Sequence, residues 1–203
     1  MTCIWLVDDD PAVLRALQRL LSAEGLDSRA FPDPAAFLDA YDPALPGCAV
    51  IDLGLPGLDG LALQGRLTEA GHACPVIFLS GQGSIPAAVR AIRGGAVDFL
   101  TKPVDARTLL ATIRIALARD AEDRARRQTD DLLRARLSSL TPREREVMAE
   151  VVTGRLNKQI AERLGAAEKT IKVHRGRMMH KLGLRSVAEL VSLWNRLHDT
   201  TPD

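Results

Sequence analysis

The chain has 203 residues, 46% of them hydrophobic but only 3% aromatic, with 27 basic against 26 acidic side chains. That is aliphatic material for a sizeable core and length for two small domains, and it favours helices packed on a sheet over an aromatic-rich barrel. Cys3, Cys48 and Cys74 are odd in number and lie in or beside apolar runs, which argues against a disulfide framework or a zinc motif. The longest apolar stretch, 76–79, is too short to cross a bilayer and the N-terminus reads as a strand running into acids, so a cytoplasmic protein with no membrane partner is expected.

From residue 3 to residue 117, short β-type runs at 3–7, 27–31, 49–51, 75–79 and 97–100 alternate with amphipathic stretches such as 11–25 and 59–71. Apolar strands separated by helical segments predict an α/β domain over 1–117, a doubly wound five-stranded parallel sheet covered on both faces. In such a sheet, chemistry gathers at the carboxyl ends of the strands, beside the point where strand order reverses. Asp8, Asp9 and Asp10 end the first run, Asp52 the third and Ser80 the fourth, and Lys102 follows the fifth. Residues distant in sequence are therefore expected on one rim.

An acidic pair facing Asp52 creates like-charge repulsion that calls for a cation, and hard oxygen ligands favour magnesium. A carboxylate so held and aimed at a phosphoryl donor is a nucleophile, while the Lys102 ammonium and the Ser80 hydroxyl can neutralise charge on the transferred group. Taken singly, each residue has a plainer reading: an acid at a strand end caps a helix, Ser80 is a turn residue, Phe99 is core. Their order at successive strand ends argues against coincidence. Asp10 and Asp59 read as helix starts.

The string VDDD at 7–10, the stretch DLGLPGLDG from Asp52, the Ser80 and Gly81 pair and FLTKP ending at Pro103 resemble bacterial response-regulator receivers, a flavodoxin-like fold, over the whole of 1–117. The resemblance implies that Asp52 is the phosphoacceptor, that Asp9, Asp52 and the Gly54 carbonyl ligate magnesium with Asp8 assisting through water, and that Ser80 and Lys102 bind the phosphoryl oxygens. It also implies Ser80 and Phe99 as the switch pair and a cis bond between Lys102 and Pro103. Gly54 leaves little cover over the acceptor and Gln82 is neutral, which suits a short-lived acyl phosphate; equally, Gly54 merely eases a turn.

Residues 118–137 hold 6 basic and 5 acidic side chains, with no Pro or Gly to stop a helix. A helical linker is expected there, though the apolar-poor middle, 120–131, leaves a frayed tether open as well. Residues 138–203 hold 12 basic against 8 acidic side chains, an excess that fits a phosphate backbone or a solvated face alike. Thr141, Pro142 and Glu144 announce a capped helix, Gly154 ends it, Asn157 can cap the next, Gly165 interrupts, Gly183 stops a third helix over 168–182 and Ser186 can cap a fourth. Four short helices with tight turns suit a helix-turn-helix unit.

On the third of these helices, Ile171, Met178 and Leu182 share one face, while Lys169, Lys172, Val173 and Gly176 fall on the opposite one. Lys172 and Val173 can offer base edges a donor and an apolar contact in the major groove, and Lys158, Lys169, Thr170 and Arg177 can reach phosphates. The segment LTPREREVMAEVVTGRLNKQIAERLGAAEKTIKVHRGRMMHKLG resembles the LuxR-type DNA-binding domain of the NarL/FixJ class, with Ala167 where a Ser cap is usual and Gly176 where a long side chain could enter the groove.

The two resemblances together imply a two-component transcription regulator of the FixJ type, with no enzymatic turnover beyond self-phosphorylation and self-dephosphorylation at Asp52. Its implied partners are a sensor histidine kinase, promoter DNA and, on phosphorylation, a second copy of the chain, with RNA polymerase as a further candidate. The implied pairing surface is Ala88, Ala91 and Ile92 with Val97, Phe99 and Lys102.

Overall fold

A computed structural model describes residues 2–71, 74–81 and 84–198, so that Gln82 and residues 199–203 lie outside the described residues. The chain divides after Arg126 into two units. In the first, β1 (Cys3–Val7), β2 (Ser28–Phe31), β3 (Gly47–Asp52), β4 (Val76–Ser80) and β5 (Asp98–Thr101) all pair in parallel, in the order β2-β1-β3-β4-β5. Helices α1 (Pro11–Ala23), α2 (Pro34–Ala40), α3 (Gly60–Glu69), α4 (Ile85–Arg93) and the part of α5 (Ala106–Ser138) up to Arg126 follow the strands.

Every residue of β1, β3 and β4 is buried, and the alternation of the strand divides them between two cores. Trp5, Val7, Ala49, Ile51 and Phe78 meet Phe37, Leu63, Leu67 and Ala91 from α2, α3 and α4 on one face. Ile4, Leu6, Cys48, Val50 and Ile77 meet Leu14, Leu17, Leu21 and Ile113 from α1 and α5 on the other. This is the doubly wound sheet that near-continuous apolar strands require. Strand order reverses between β1 and β3, so the chain after Val7 and the end of β3 open onto the same crevice.

The chain leaves each rim under control of a cap. Asp10, Asp33, Asp59 and Ser84 accept hydrogen bonds from the backbone N–H groups of Ala12, Ala36, Ala62 and Ala87 at the starts of α1 to α4. Asp10 and Asp59 thus start helices as their positions predicted. The Lys102–Pro103 peptide is cis. All three thiols sit in or against the cores of this unit; burial raises their pKa values, that of Cys74 to about 11.

Helix α5 stays on the first unit beyond residue 117. Asp120 is buried, and its Oδ2 accepts from the Gly47 N–H at 2.9 Å and from Arg124 Nε at 2.8 Å. Arg124 in turn donates to the carbonyls of Pro43, Ala44 and Leu45. Gly47 is the only residue type that fits there, because an added Cβ would stand 1.9 Å from the Cys3 carbonyl oxygen. The apolar-poor start of 120–131 is therefore held by polar contacts to the loop that precedes β3.

The second unit contains α6 (Pro142–Val152), α7 (Asn157–Arg163), α8 (Glu168–Leu182) and α9 (Val187–His198) around Leu140, Val147, Val151, Ile160, Ile171, Met178 and Leu190. Thr141 and Glu144 form the capping box at α6: the Glu144 N–H donates to Thr141 Oγ1 at 3.2 Å and the Thr141 N–H to Glu144 Oε2 at 2.9 Å. Gly183 ends α8 in the left-handed region with φ 69°. Ser186 Oγ accepts from the Glu189 N–H at the start of α9. One cap is corrected: Leu156, not Asn157, stands at the N-cap of α7, and Asn157 is its first helical residue.

Replacing Asp120 with Ala leaves the Gly47 N–H and Arg124 Nε without their acceptor. We expect a loss of about 2–3 kcal/mol in denaturant unfolding of the first unit, with Asp120→Asn losing less because it keeps an acceptor oxygen.

Candidate functional site

The switch point gathers the acids. Asp8 follows β1 and Asp52 ends β3, and they are 2% and 7% exposed. Lys102, delivered past the end of β5, places its Nζ 2.6 Å from Asp8 Oδ2 and 2.5 Å from Asp52 Oδ1. The second oxygen of each carboxylate takes a backbone N–H: Asp10 donates to Asp8 Oδ1 at 3.0 Å, and Gly54 to Asp52 Oδ2 at 2.6 Å. Burial alone would lower the Lys102 pKa, but the hydrogen bonds and charges of Asp52 and Asp8 outweigh it and hold the ammonium above its ordinary value. Two carboxylates share one ammonium, which leaves an excess negative charge at the rim.

Ser80 is buried at the end of β4, and its backbone carbonyl accepts from the Lys102 N–H at 2.8 Å, so the strand that carries the hydroxyl is tied to the lysine. Asp52, Ser80 and Lys102 line a cavity of about 570 Å³ together with Gly54, Ser84 and Arg90. An added Cβ at Gly54 would lie 3.3 Å from Asp52 Oδ2, so any larger residue here crowds the Asp52 carboxylate. Asp9 is exposed beside the pair. Among the described residues no three His, Cys, Asp or Glu side chains cluster tightly enough to hold a metal. The oxygen donors of Asp8, Asp52 and Gly54, with their excess negative charge, nonetheless match the chemistry of a hard divalent cation.

Of the residues expected on a pairing surface, Ala91 departs from the expectation: it is fully buried in the core beneath α4 and offers no exposed area. The apolar face that α4 leaves open consists of Ile85, Val89 and Ile92, 80%, 44% and 49% exposed at helical spacing, with Ala88 half-buried beside it. Val97 and Phe99 are half-buried, packing against opposite cores, and Lys102 is engaged at the rim.

In the second unit, Ile171, Met178 and Leu182 of α8 are buried, while Lys169, Thr170, Lys172, Val173, Gly176 and Arg177 are exposed, as is Lys158 on α7. The face opposite the core is thus lined with cations, one apolar side chain and one gap. An added Cβ at Gly176 meets nothing within 4 Å. The far end of α8 is anchored by polar contacts: Lys181 Nζ donates to Glu144 Oε2 at 2.6 Å and to the Ser139 carbonyl, and Arg136 Nη1 to the Leu182 carbonyl. Glu144 is buried, and the Lys181 ammonium together with the Thr141 N–H holds its carboxyl below the usual range.

Arg90 and Ser84 at the cavity, and Arg175, whose guanidinium binds Asn157, were not singled out from sequence. The cue for Arg175 was its place beside the buried stripe of α8, where a charge needs a partner; Arg90 carries no such cue.

Comparison with known proteins agrees with this division. The response regulator receiver domain family matches residues 4–114, and the luxR family of bacterial regulatory proteins matches residues 138–194. The response regulator protein TmoT of Ectopseudomonas mendocina is 42% identical over 97% of this chain and 90% of its own length. The transcriptional regulatory protein FixJ of Bradyrhizobium diazoefficiens is 40% identical over 94% and 93%. The solved structure of the response regulator StyR superposes with a TM-score of 0.88 at 41% identity, covering 96% of this chain and 98% of that one.

Two outcomes are expected. The folded-state pKa of Glu144 is depressed, so its contribution to stability is complete above the ordinary value of 4.5 and is lost as pH falls through the lowered one; acid unfolding of the second unit should therefore be flatter in Glu144→Gln than in wild type. Gly176→Ala should stabilise that unit by about 0.5–1 kcal/mol in thermal unfolding, because an exposed helix interior gains propensity without a clash.

Proposed function

The chain belongs to the response-regulator family, a receiver domain and a LuxR-type DNA-binding domain in one transcription regulator, and we propose that phosphorylation of Asp52 is its switch. The receiver domain implies a sensor histidine kinase as the donor; a small acyl phosphate serves the same chemistry. The observation that carries this reading is the Asp52 carboxylate held between the Lys102 ammonium and the Gly54 N–H at the mouth of an open cavity.

In the transfer, an Asp52 oxygen attacks phosphorus, a P–O bond forms, and the bond from phosphorus to the donor breaks, its electron pair leaving with the donor. The carboxylate is oriented beforehand by its two partners, which is where positioning contributes most in phosphoryl transfer. Lys102 and the Ser80 hydroxyl then meet the new phosphoryl oxygens. Asp8, Asp9, Asp52 and the Gly54 carbonyl would hold magnesium, which supplies charge neutralisation when bound. Gly54 leaves the acyl phosphate open to water, and a larger residue there lengthens its life.

The further steps rest on the same reading. Redirecting Lys102 and Ser80 toward a phosphoryl group alters the ends of β4 and β5, which carry Phe99, and favours pairing of two receivers across the Ile85, Val89 and Ile92 face of α4. Two linked output domains then bind adjacent half-sites at high effective concentration, raising affinity for promoter DNA without any new contact. RNA polymerase is a further partner in that scheme.

The test is the intact mass and apparent size of wild type and Asp52→Asn after incubation with magnesium and acetyl phosphate. Wild type should gain one phosphoryl group and shift toward a dimer, while the variant does neither. Unmodified wild type with every donor tried, acetyl phosphate and a phosphorylated kinase included, would overturn the switch.

A further inference from the structure

Asn157 opens α7, yet its side chain does not cap that helix: the N-cap is Leu156, which has no side-chain acceptor. Its Oδ1 instead accepts a hydrogen bond from Arg175 Nη1 of α8 at 2.9 Å, and both residues are half-buried. The same first turn is closed locally by the Leu156 N–H donating to Gln159 Oε1 at 2.9 Å. Lys158, next along, is exposed.

At about 100° per residue, Arg175 lies about 40° around α8 from Ile171 and about 60° from Lys172. It therefore occupies the seam where the packed stripe meets the exposed face. A guanidinium at such a seam cannot be left in a partly desolvated position without an acceptor, and its planar fork holds direction better than an ammonium would. A charge-assisted bond to a neutral amide oxygen is stronger than a neutral pair and fixes both side chains.

We propose that Arg175 is a positioning residue for DNA recognition: acting through Asn157, it fixes the first turn of α7, and with it Lys158, against the exposed face of α8. The inference rests on the reading of that face as the DNA surface. It assigns Asn157 and Arg175 a role apart from base or phosphate contact. The neighbouring gap at Gly176 makes this fixation more consequential, since no long side chain there supports the register of the two helices on the groove.

The experiment measures the affinity of the full chain, across a series of salt concentrations, for a duplex that wild-type protein selects from a random-sequence pool. Asn157→Ala and Arg175→Ala should each weaken binding about tenfold, and the double variant no further than either alone, as one shared contact requires. The slope of log affinity against log salt should be the same in all three, because each variant releases the same first turn and the same Lys158. A slope reduced by about one in Arg175→Ala, with Asn157→Ala binding as wild type, would make Arg175 a phosphate ligand and sink the proposal. Lys172→Ala separates the premises: if it weakens binding while both seam variants bind as wild type, the inference alone falls, and if it too is silent, the DNA surface itself has been misplaced. Should an alanine variant unfold early in a thermal scan, Asn157→Ser and Arg175→Lys, which keep polarity but lose reach or the planar fork, carry the same expectations.

Discussion

Asp8 and Asp52 stand at adjacent strand ends, almost wholly out of water, and two carboxylates so placed repel unless a cation comes between them. Lys102 is that cation, and much of the first unit is arranged to bring it there. The strand order puts β3 between β1 and β4, which sets the acids side by side; β5 at the edge returns the chain toward them; and the backbone bond from Lys102 to Ser80 fixes the lysine against the next strand. Because the rim keeps more negative than positive charge, it holds the lysine firmly and can receive further positive charge. Any group added to Asp52 changes how that single ammonium is shared.

The parts of the molecule that were legible in the sequence are those set by periodicity and by local hydrogen bonding. Strands such as CIWLV and VIFLS are apolar throughout because both faces are covered, and Asp10, Asp59 and Thr141 mark helix starts because a cap acts within three residues of itself. The convergence of Asp8, Asp52 and Lys102 was legible one step further on, through the rule that parallel strands present their carboxyl ends together. Ala91 illustrates the limit. Periodicity puts an alanine on α4 close to Ile92 in sequence but does not say that the core begins between them, and the structure buries one and exposes the other.

Away from that rim, polar contacts between distant segments were not legible. Asp120 and Arg124 look like an ordinary solvated pair four residues apart, and only the approach of the Pro43 to Gly47 loop turns them into a buried clamp. The same holds for Asn157, whose residue type suits a cap but whose partner lies 18 positions away on another helix. Sequence pattern says which side of a helix seeks the core; it is silent on which carbonyl or amide will meet a charge.

The three thiols bear on how the protein behaves outside its signalling role. Burial holds each of them in the neutral form, which is the unreactive one, and none belongs to the rim or to the face of α8. Alkylating reagents and mild oxidants therefore have little to attack while the sheet is closed. Cys3 and Cys48, which lie in the strands, become reactive only as those strands separate, which makes the labelling of these two thiols a built-in clock for the opening of the receiver core.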